Sequence, residues 1–338
     1  MKRRRAFGVL GLLAFTALLS LLIALAVGSV PLSLGEVAAA LLFFAHGDAP
    51  NLAREVVFSL RLPRALSVFA CGGLLALSGA LMQVLLRNPL ADPYVLGISG
   101  GAAVGALAAM LLGFGGGAAF GLGLQAAAFI GALAATGLVF GLARGDGSWT
   151  QTRLLLTGVI VAAGCGAAVA LMLSLAPEQQ LRGMLFWLMG DAGEATAPWL
   201  PLFILAMGLS IALFFAHELN LLTRGAVMAA TLGAHVPRLR LLLYFLAALL
   251  TATAVTSVGS VGFVGLVVPH VVRLALGNDQ RLLLPAATLA GAALLTLADT
   301  LARSVIAPQQ LPVGVLTALI GVPVFLFLLA RSPRLERA

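Results

Sequence analysis

Apolar residues fill this chain in long blocks, and polar residues are confined to short breaks between them. Ten blocks can be drawn, at about 6–28, 60–86, 94–112, 118–143, 153–176, 198–217, 241–259, 261–276, 282–302 and 312–331. Most approach the roughly 20 apolar residues that a helix needs to cross a bilayer. The pattern predicts an all-α polytopic membrane protein with about ten transmembrane helices, forming one domain over residues 1–338. The eighth block, between Gly259 and Gly277, is short for a full crossing and reads as a half-length or tilted helix. Asn88, Pro89, Asp92 and Pro93 separate the second block from the third, and Pro308 and Pro312 separate the ninth from the tenth. Gly97, Gly101 and Gly105 recur four apart, and Gly117 with Gly121 and Gly137 with Gly141 repeat the spacing. In lipid, such small residues let helix backbones approach closely.

Composition narrows the picture further. Hydrophobic residues make up 61% of the chain, charged residues 9%, and the mean hydropathy is +1.10. A globular domain carries about 25% charged residues, so the bilayer must be the main solvent here. The net charge of +8 does not point to nucleic acid, because the basic residues sit in the breaks and form no continuous basic face. Alternating the blocks from an inside N-terminus puts 15 of the 20 basic residues inside, and only Arg54, Arg61, Arg64, Arg182 and Arg303 outside. That asymmetry predicts ten spans with both termini cytoplasmic. The run after Lys2 and Arg3–Arg5 extends to Val27, longer than a signal-peptide core, and reads as a retained first span. Cys71 and Cys165 lie inside apolar blocks and read as small packing residues, with no metal-site spacing.

Two breaks are longer than turns. Residues 29–59, outside, carry Glu36, His46, Asp48 and Glu55. Residues 218–240, inside, contain a helix-favouring stretch from Gly225 to Leu232 that Gly233 would stop. A short helix at the membrane face, bracketed by glycines, suits the docking of another protein.

The chemistry available is sparse. The only lysine is Lys2, so no phosphate-binding Walker lysine exists, and any ATP hydrolysis must come from a separate subunit. Gly97-Ile98-Ser99-Gly100-Gly101 matches the GxSxG pattern of an intramembrane serine protease, yet the only histidine in a span is His270. Asp299 and Arg303 lie four apart and can pair along one helix face, and Asp299 is the candidate relay of a proton-coupled transporter. Arg273 ends the eighth block, where its side chain would extend to the headgroups. Arg61, Arg64 and Arg303 share the outer face, where they either bind carboxylates of an external partner or anchor the interface.

Several stretches recur in a known order: Arg61-Leu62-Pro63-Arg64; Ser78-Gly79-Ala80-Leu81-Met82-Gln83; Asn88-Pro89-Leu90-Ala91-Asp92-Pro93 with Leu96-Gly97-Ile98-Ser99-Gly100-Gly101; Arg153-Leu154-Leu155-Leu156-Thr157-Gly158; residues 262–270; Ala298-Asp299 with Arg303; and Leu311-Pro312-Val313-Gly314-Val315 with Gly321-Val322-Pro323-Val324-Phe325. Together they resemble the permease subunits of type II ABC importers, the FecCD/BtuC-like family that takes up ferric siderophores, haem and cobalamin. The resemblance implies the type II permease fold, a homodimer in the bacterial inner membrane, and a path on the two-fold axis lined by the fifth and tenth spans. It implies two ABC ATPase subunits inside, which bind the ATP and Mg, and a periplasmic substrate-binding protein outside. It assigns Arg61, Arg64 and Arg303 to binding-protein docking. It assigns Asn88, Leu90, Thr150, Gln151 and Thr152 to a cytoplasmic gate. Leu219, Asn220, Gly225, Ala229, Leu232 and Gly233, in a segment at about 219–236, are assigned to ATPase coupling. No catalytic residue, metal ligand or cofactor is expected on this chain, and no nucleic acid as partner. A ferric siderophore is the first expectation for the cargo, with cobalamin or haem next. The sequence departs from the family after Gly225, where relatives often carry an acidic residue and this chain has Ala226-Val227-Met228-Ala229-Ala230. Docking there would rest on packing and backbone groups.

Overall fold

The structure is a computed structural model that describes residues 2–331 apart from 29, 31, 43–50, 114–119, 145–149 and 194. His46, Asp48 and Gly117 therefore lie outside the described residues. Every regular element among the described residues is helical. Among the described residues six helices are long and apolar enough to cross a membrane, and they fall on the first, second, fourth, fifth, seventh and ninth blocks. The sixth block is α9 (Trp199–Phe214), which bends by 63° into α10 (Ala216–Thr223). Three shorter apolar helices occupy the third, eighth and tenth blocks: α5 (Ile98–Leu111), α13 (Val264–Leu276) and α15 (Val313–Arg331).

The bundle is built around α4 (Leu62–Leu85), which is buried on every side from Ala70 to Leu85. A helix apolar all round belongs in a core. Around it pack α14 (Gln280–Ser304), α12 (Val236–Val258), α13, α9 and α1 (Lys2–Ala26). A second group, α5 with α6 (Phe120–Arg144) and α7 (Gln151–Leu175), joins through α12. Upstream of α4 lie α2 (Leu34–Leu42), α3 (Asn51–Glu55) and a π-helical stretch at Val56–Arg61. The π stretch ends with the Leu62 N–H donating to the Val57 carbonyl, one residue further back than in an α-helix. Pro63, which lacks an N–H, then falls in the first turn of α4, where none is needed.

Small residues set the closest crossings. Pro269 inside α13 cannot donate to the Gly265 carbonyl one turn earlier. That carbonyl faces Gly79 of α4, where any Cβ would run into it. Gly101 of α5 meets the Gly131 carbonyl of α6 in the same way. The expected glycine ladder holds only in part: Gly101 and Gly105 are packed against α6, whereas Gly97 is a turn residue with φ of 75°. Gly137 and Gly141, expected at a helix contact, have open space around them.

α5 and α13 contain 14 and 13 residues and rise about 20 Å, less than the roughly 30 Å of hydrocarbon. Irregular backbone flanking such helices needs partners within the protein. The Tyr94 hydroxyl supplies two: it donates to the Val261 carbonyl at 2.8 Å and accepts the Val261 N–H at 2.9 Å. The Val313 N–H, opening α15, donates to the Gly190 carbonyl at 2.9 Å. Gly190 ends the turn after α8 (Glu178–Leu188), a helix the hydropathy blocks do not predict. Its signals are present: Pro177 and Glu178 open it, and Gly190, with φ of 84°, closes it. α2 is likewise unpredicted, although Ser33 and Glu36 form a capping box. Ser33 Oγ accepts the Glu36 N–H at 3.2 Å, and Glu36 Oε2 accepts the Ser33 N–H at 2.7 Å. That backbone hydrogen bond holds the Glu36 carboxyl below its usual range.

Arg273 departs from expectation. It turns inward, and its Nη2 donates to Gln83 Oε1 at 2.7 Å, while Gln83 Nε2 donates to the Leu266 carbonyl at 3.2 Å. The pull of a buried acceptor on α4 wins over the water-facing route. Cys71 is buried and Cys165 half-buried, as packing residues should be.

Gly79→Ala should destabilise the folded protein by about 3 kcal/mol, since α4 and α13 must separate to admit the methyl group; thermal unfolding in detergent will measure it, with Gly137→Ala as the tolerated control. Tyr94→Phe strands a donor and an acceptor at Val261, which should cost about 1–3 kcal/mol and speed amide exchange over residues 259–263.

Candidate functional site

Because α4 and α14 run antiparallel, the N-terminus of one and the C-terminus of the other meet at one end of the bundle. Arg61, Arg64, Asp299 and Arg303 are brought together there, as the sequence suggested. Their partners differ from expectation: instead of three guanidiniums facing solvent, two are buried against α1. Arg61 Nη1 donates to the Leu25 carbonyl at 2.7 Å and the Ala26 carbonyl at 3.0 Å, and its Nη2 donates to the Val30 carbonyl. Arg303 Nη2 donates to the Ala24 carbonyl. The Ala24, Leu25 and Ala26 carbonyls are among the last of α1, which lack helical donors of their own and carry the negative end of its dipole; Val30 lies in the chain that follows. Arg61 is 4% exposed and Arg303 6%. Gly28 makes room for the first, since a Cβ there would press on the Arg61 guanidinium at 3.0 Å.

Arg64 is held by acidic and neutral oxygens. Its Nε donates to both Asp299 oxygens, at 3.2 and 3.1 Å, and its Nη2 donates to Oδ1 at 2.7 Å. Its Nη1 donates to Gln310 Oε1 at 3.0 Å, and Gln310 is exposed. Asp299 also stands 3.7 Å from Arg303 Nε, so the expected pair along α14 exists but is the weaker of its two contacts. Gln310 and Gly28 were not singled out from sequence. Gln310 lay in a stretch read only as a breaker, and Gly28 at the end of a span.

The opposite end collects the predicted gate and coupling residues. Asn88 Oδ1 accepts the Leu90 N–H at 2.9 Å, closing the turn after α4. Thr150 caps α7 by accepting the Arg153 N–H at 3.2 Å. Gln151 Nε2 donates to the Leu85 carbonyl at 2.8 Å, tying the start of α7 to the end of α4. The structure thus brings Gln151 to the end of α4, next to the Asn88 turn, while Thr150 and Thr152 are exposed.

The predicted helix between Gly225 and Gly233 is α11 (Ala226–Thr231), and α10 precedes it. Gly225 and Gly233 have φ of 127° and 90°, which side chains other than glycine's resist. Leu219 and Ala229 are buried and seat the two helices. Val227, Met228 and Leu232 are exposed, giving an apolar edge. Asn220 is a staple: its Nδ2 donates to Asp279 Oδ1 at 2.9 Å, and its Oδ1 accepts the Gln280 N–H at 2.9 Å. α10 is thereby fixed to the N-terminus of α14.

Between the ends, α7 and α15 expose apolar side chains along much of their length, including Leu156, Ile160, Leu171 and Leu175 on α7 and Leu319, Leu326 and Phe327 on α15. Ser99 lies at the start of α5, and its hydroxyl is 3.0 Å from that of Ser260. A second serine is no base, so the GxSxG pattern lacks the partner a nucleophile needs. Among the described residues no group of three His, Cys, Asp or Glu side chains is arranged to hold a metal ion.

Comparisons with known proteins agree with this layout. Residues 16–331 match the model of the FecCD transport family. The hemin transport system permease protein HmuU of Yersinia pestis is 41% identical, over 93% of this chain and 94% of its own. The vitamin B12 import system permease protein BtuC of Salmonella typhi is 40% identical, over 86% of this chain and 89% of its own. Among solved structures, an inward-facing metal-chelate type ABC transporter superposes with a TM-score of 0.82 at 32% identity, covering 96% of this chain and 99% of that one. The chain is a permease subunit of the ABC importer type and belongs to the FecCD transport family.

Proposed function

We propose that the chain works as one half of a homodimeric, ATP-driven importer that moves a metal chelate across the inner membrane into the cytoplasm. Both termini are cytoplasmic in this reading, the arginine end faces the periplasm, and two ATPase subunits dock on α10 and α11. The apolar walls of α7 and α15 line the path on the two-fold axis. The observation that carries the reading is the paired construction of the two ends: a glycine-bracketed helix pair stapled to α14 at one, and a guanidinium–carboxylate cluster at the other. The names of the relatives support a large chelate as cargo, haem for one and vitamin B12 for the other. A ferric siderophore remains our first choice, with cobalamin and haem next. A smooth apolar path suits a cargo that must leave as readily as it enters.

A proton-coupled transporter is less well supported. Its relay would be Asp299, and that carboxylate is clasped by Arg64 and flanked by Arg303. No side chain of this chain performs covalent chemistry in the proposed cycle.

In liposomes containing the assembled importer, uptake of the chelate should require ATP inside and continue when an ionophore collapses the proton gradient. Uptake that follows the gradient and ignores ATP would exclude this reading. Val227→Asp with Met228→Asp, which place charge on the apolar edge of α11, should reduce ATPase co-purification by about tenfold while the permease stays folded, because an unpaired charge in an apolar contact is costly.

A further inference from the structure

At the end of the bundle that carries α10 and α11, α10 and the first turn of α14 stand apart around a cleft of about 530 Å³. Two turns shape it. α9 bends by 63° into α10, and Gly277, with φ of 87°, turns the chain from α13 toward α14. The Asn220 staple joins the two walls. Arg224, at the end of α10, and Arg281, in the first turn of α14, enter from opposite walls, and His217 adds an imidazole from α10. All three are exposed, and among the described residues neither guanidinium pairs with a carboxylate. Asp279 is the one acid in the lining. Its Oδ1 accepts from Asn220 Nδ2 at 2.9 Å and from the Arg281 N–H at 3.1 Å, and its charge is offset by the positive end of the α14 dipole. The Gln280 N–H is likewise taken, by Asn220 Oδ1. Carboxylate and backbone donors are thus spent on starting α14, and the two guanidiniums are left for a ligand.

We propose that this cleft seats the headgroup of an anionic phospholipid, its phosphate bridging Arg224 and Arg281. A guanidinium grips phosphate oxygens side by side, and basic pockets between membrane helices at a headgroup layer suit anionic lipids. The margin of the cleft favours a lipid over a free anion. Leu221 belongs to the lining, and Leu213 and Phe214, in the last turn of α9, are exposed. A free anion would use the arginines and leave this apolar margin idle, whereas a lipid lays its chains against it. The bound headgroup ties α10 to α14 beside the Asn220 staple, so it stiffens the joint between them. The proposal goes beyond the importer reading and requires only that this end of the bundle stand at a membrane surface.

The test uses the purified full chain in detergent, supplied with phosphatidylglycerol and phosphatidylcholine in equal amounts, and native mass spectrometry counts the lipid retained. Phosphatidylglycerol should be preferred by about tenfold, since two arginines favour the lipid of net negative charge. Arg224→Gln with Arg281→Gln should cut the preference to about twofold or less. Arg153→Gln with Arg238→Gln removes two exposed charges from the same end outside the cleft, and should leave the preference within about twofold of the unaltered protein. Phosphatidylglycerol should also raise the thermal midpoint of the unaltered protein and of this control, but not of the cleft variant. Millimolar inorganic phosphate should not displace the retained lipid. The proposal is overturned by an unaltered protein without preference, by a preference that survives loss of both cleft arginines, or by an equal fall in the control. Displacement by inorganic phosphate would assign the cleft to a free anion and overturn the lipid seat. Reduced ATPase co-purification with the cleft variant would make the cleft part of that contact, and overturn the proposal likewise. Should the cleft variant not fold, the lipid preference of the unaltered protein and its response to inorganic phosphate decide.

Discussion

A peptide group in the hydrocarbon layer has no water to bond, so it must find its partner inside the protein. Continuous helices meet this demand by themselves. This chain interrupts its helices repeatedly, and several of its scarce polar side chains stand where an interruption leaves backbone exposed. The Tyr94 hydroxyl serves both polar groups of Val261, Gln151 serves the end of α4, Gln83 serves Leu266, and two arginines serve the end of α1. Where no side chain is supplied, as at the carbonyl freed by Pro269, a glycine lets the neighbouring backbone close over it. These polar residues are explained first by the breaks they serve and only then by any ligand.

That economy bears on transport. Broken helices can shift relative to one another with little loss of internal hydrogen bonding, because the bonds at the breaks come from a few side chains and are local. The buried α4 gives the moving parts a fixed reference. α7 and α15 carry exposed apolar side chains along much of their length, the faces assigned above to the path.

Much of the fold could be read from hydropathy, because the bilayer enforces a length on a spanning helix and six of the ten blocks obey it. The half-length eighth block was visible from Gly259 and Gly277, and the Gly225–Gly233 helix from its bracketing glycines. What escaped were helices too polar to count as blocks. α2 and α8 are announced by caps at Ser33–Glu36 and Pro177–Glu178, signals that a hydropathy reading passes over. Site residues were legible as types and positions. Their partners were not, since nothing in the sequence says that Arg61 reaches back to Leu25 or that Arg273 meets Gln83 across 190 positions. Residues such as Leu219 and Ala229 read as contact residues by location, and only packing shows that they are buried within the chain.

The Asn220 staple has a mechanical corollary. It joins α10 to the first turn of α14 at both the side chain of Asp279 and the backbone of Gln280. Beyond Pro285, α14 continues without interruption to Ser304, a rod of nearly 30 Å at 1.5 Å per residue. Its far tip holds Asp299 and Arg303, and through them Arg64 and the end of α1. Under the importer reading proposed above, a displacement of α10 would be carried along α14 to the arginine cluster at the other end of the bundle, with no need for a signal to pass residue by residue through the core.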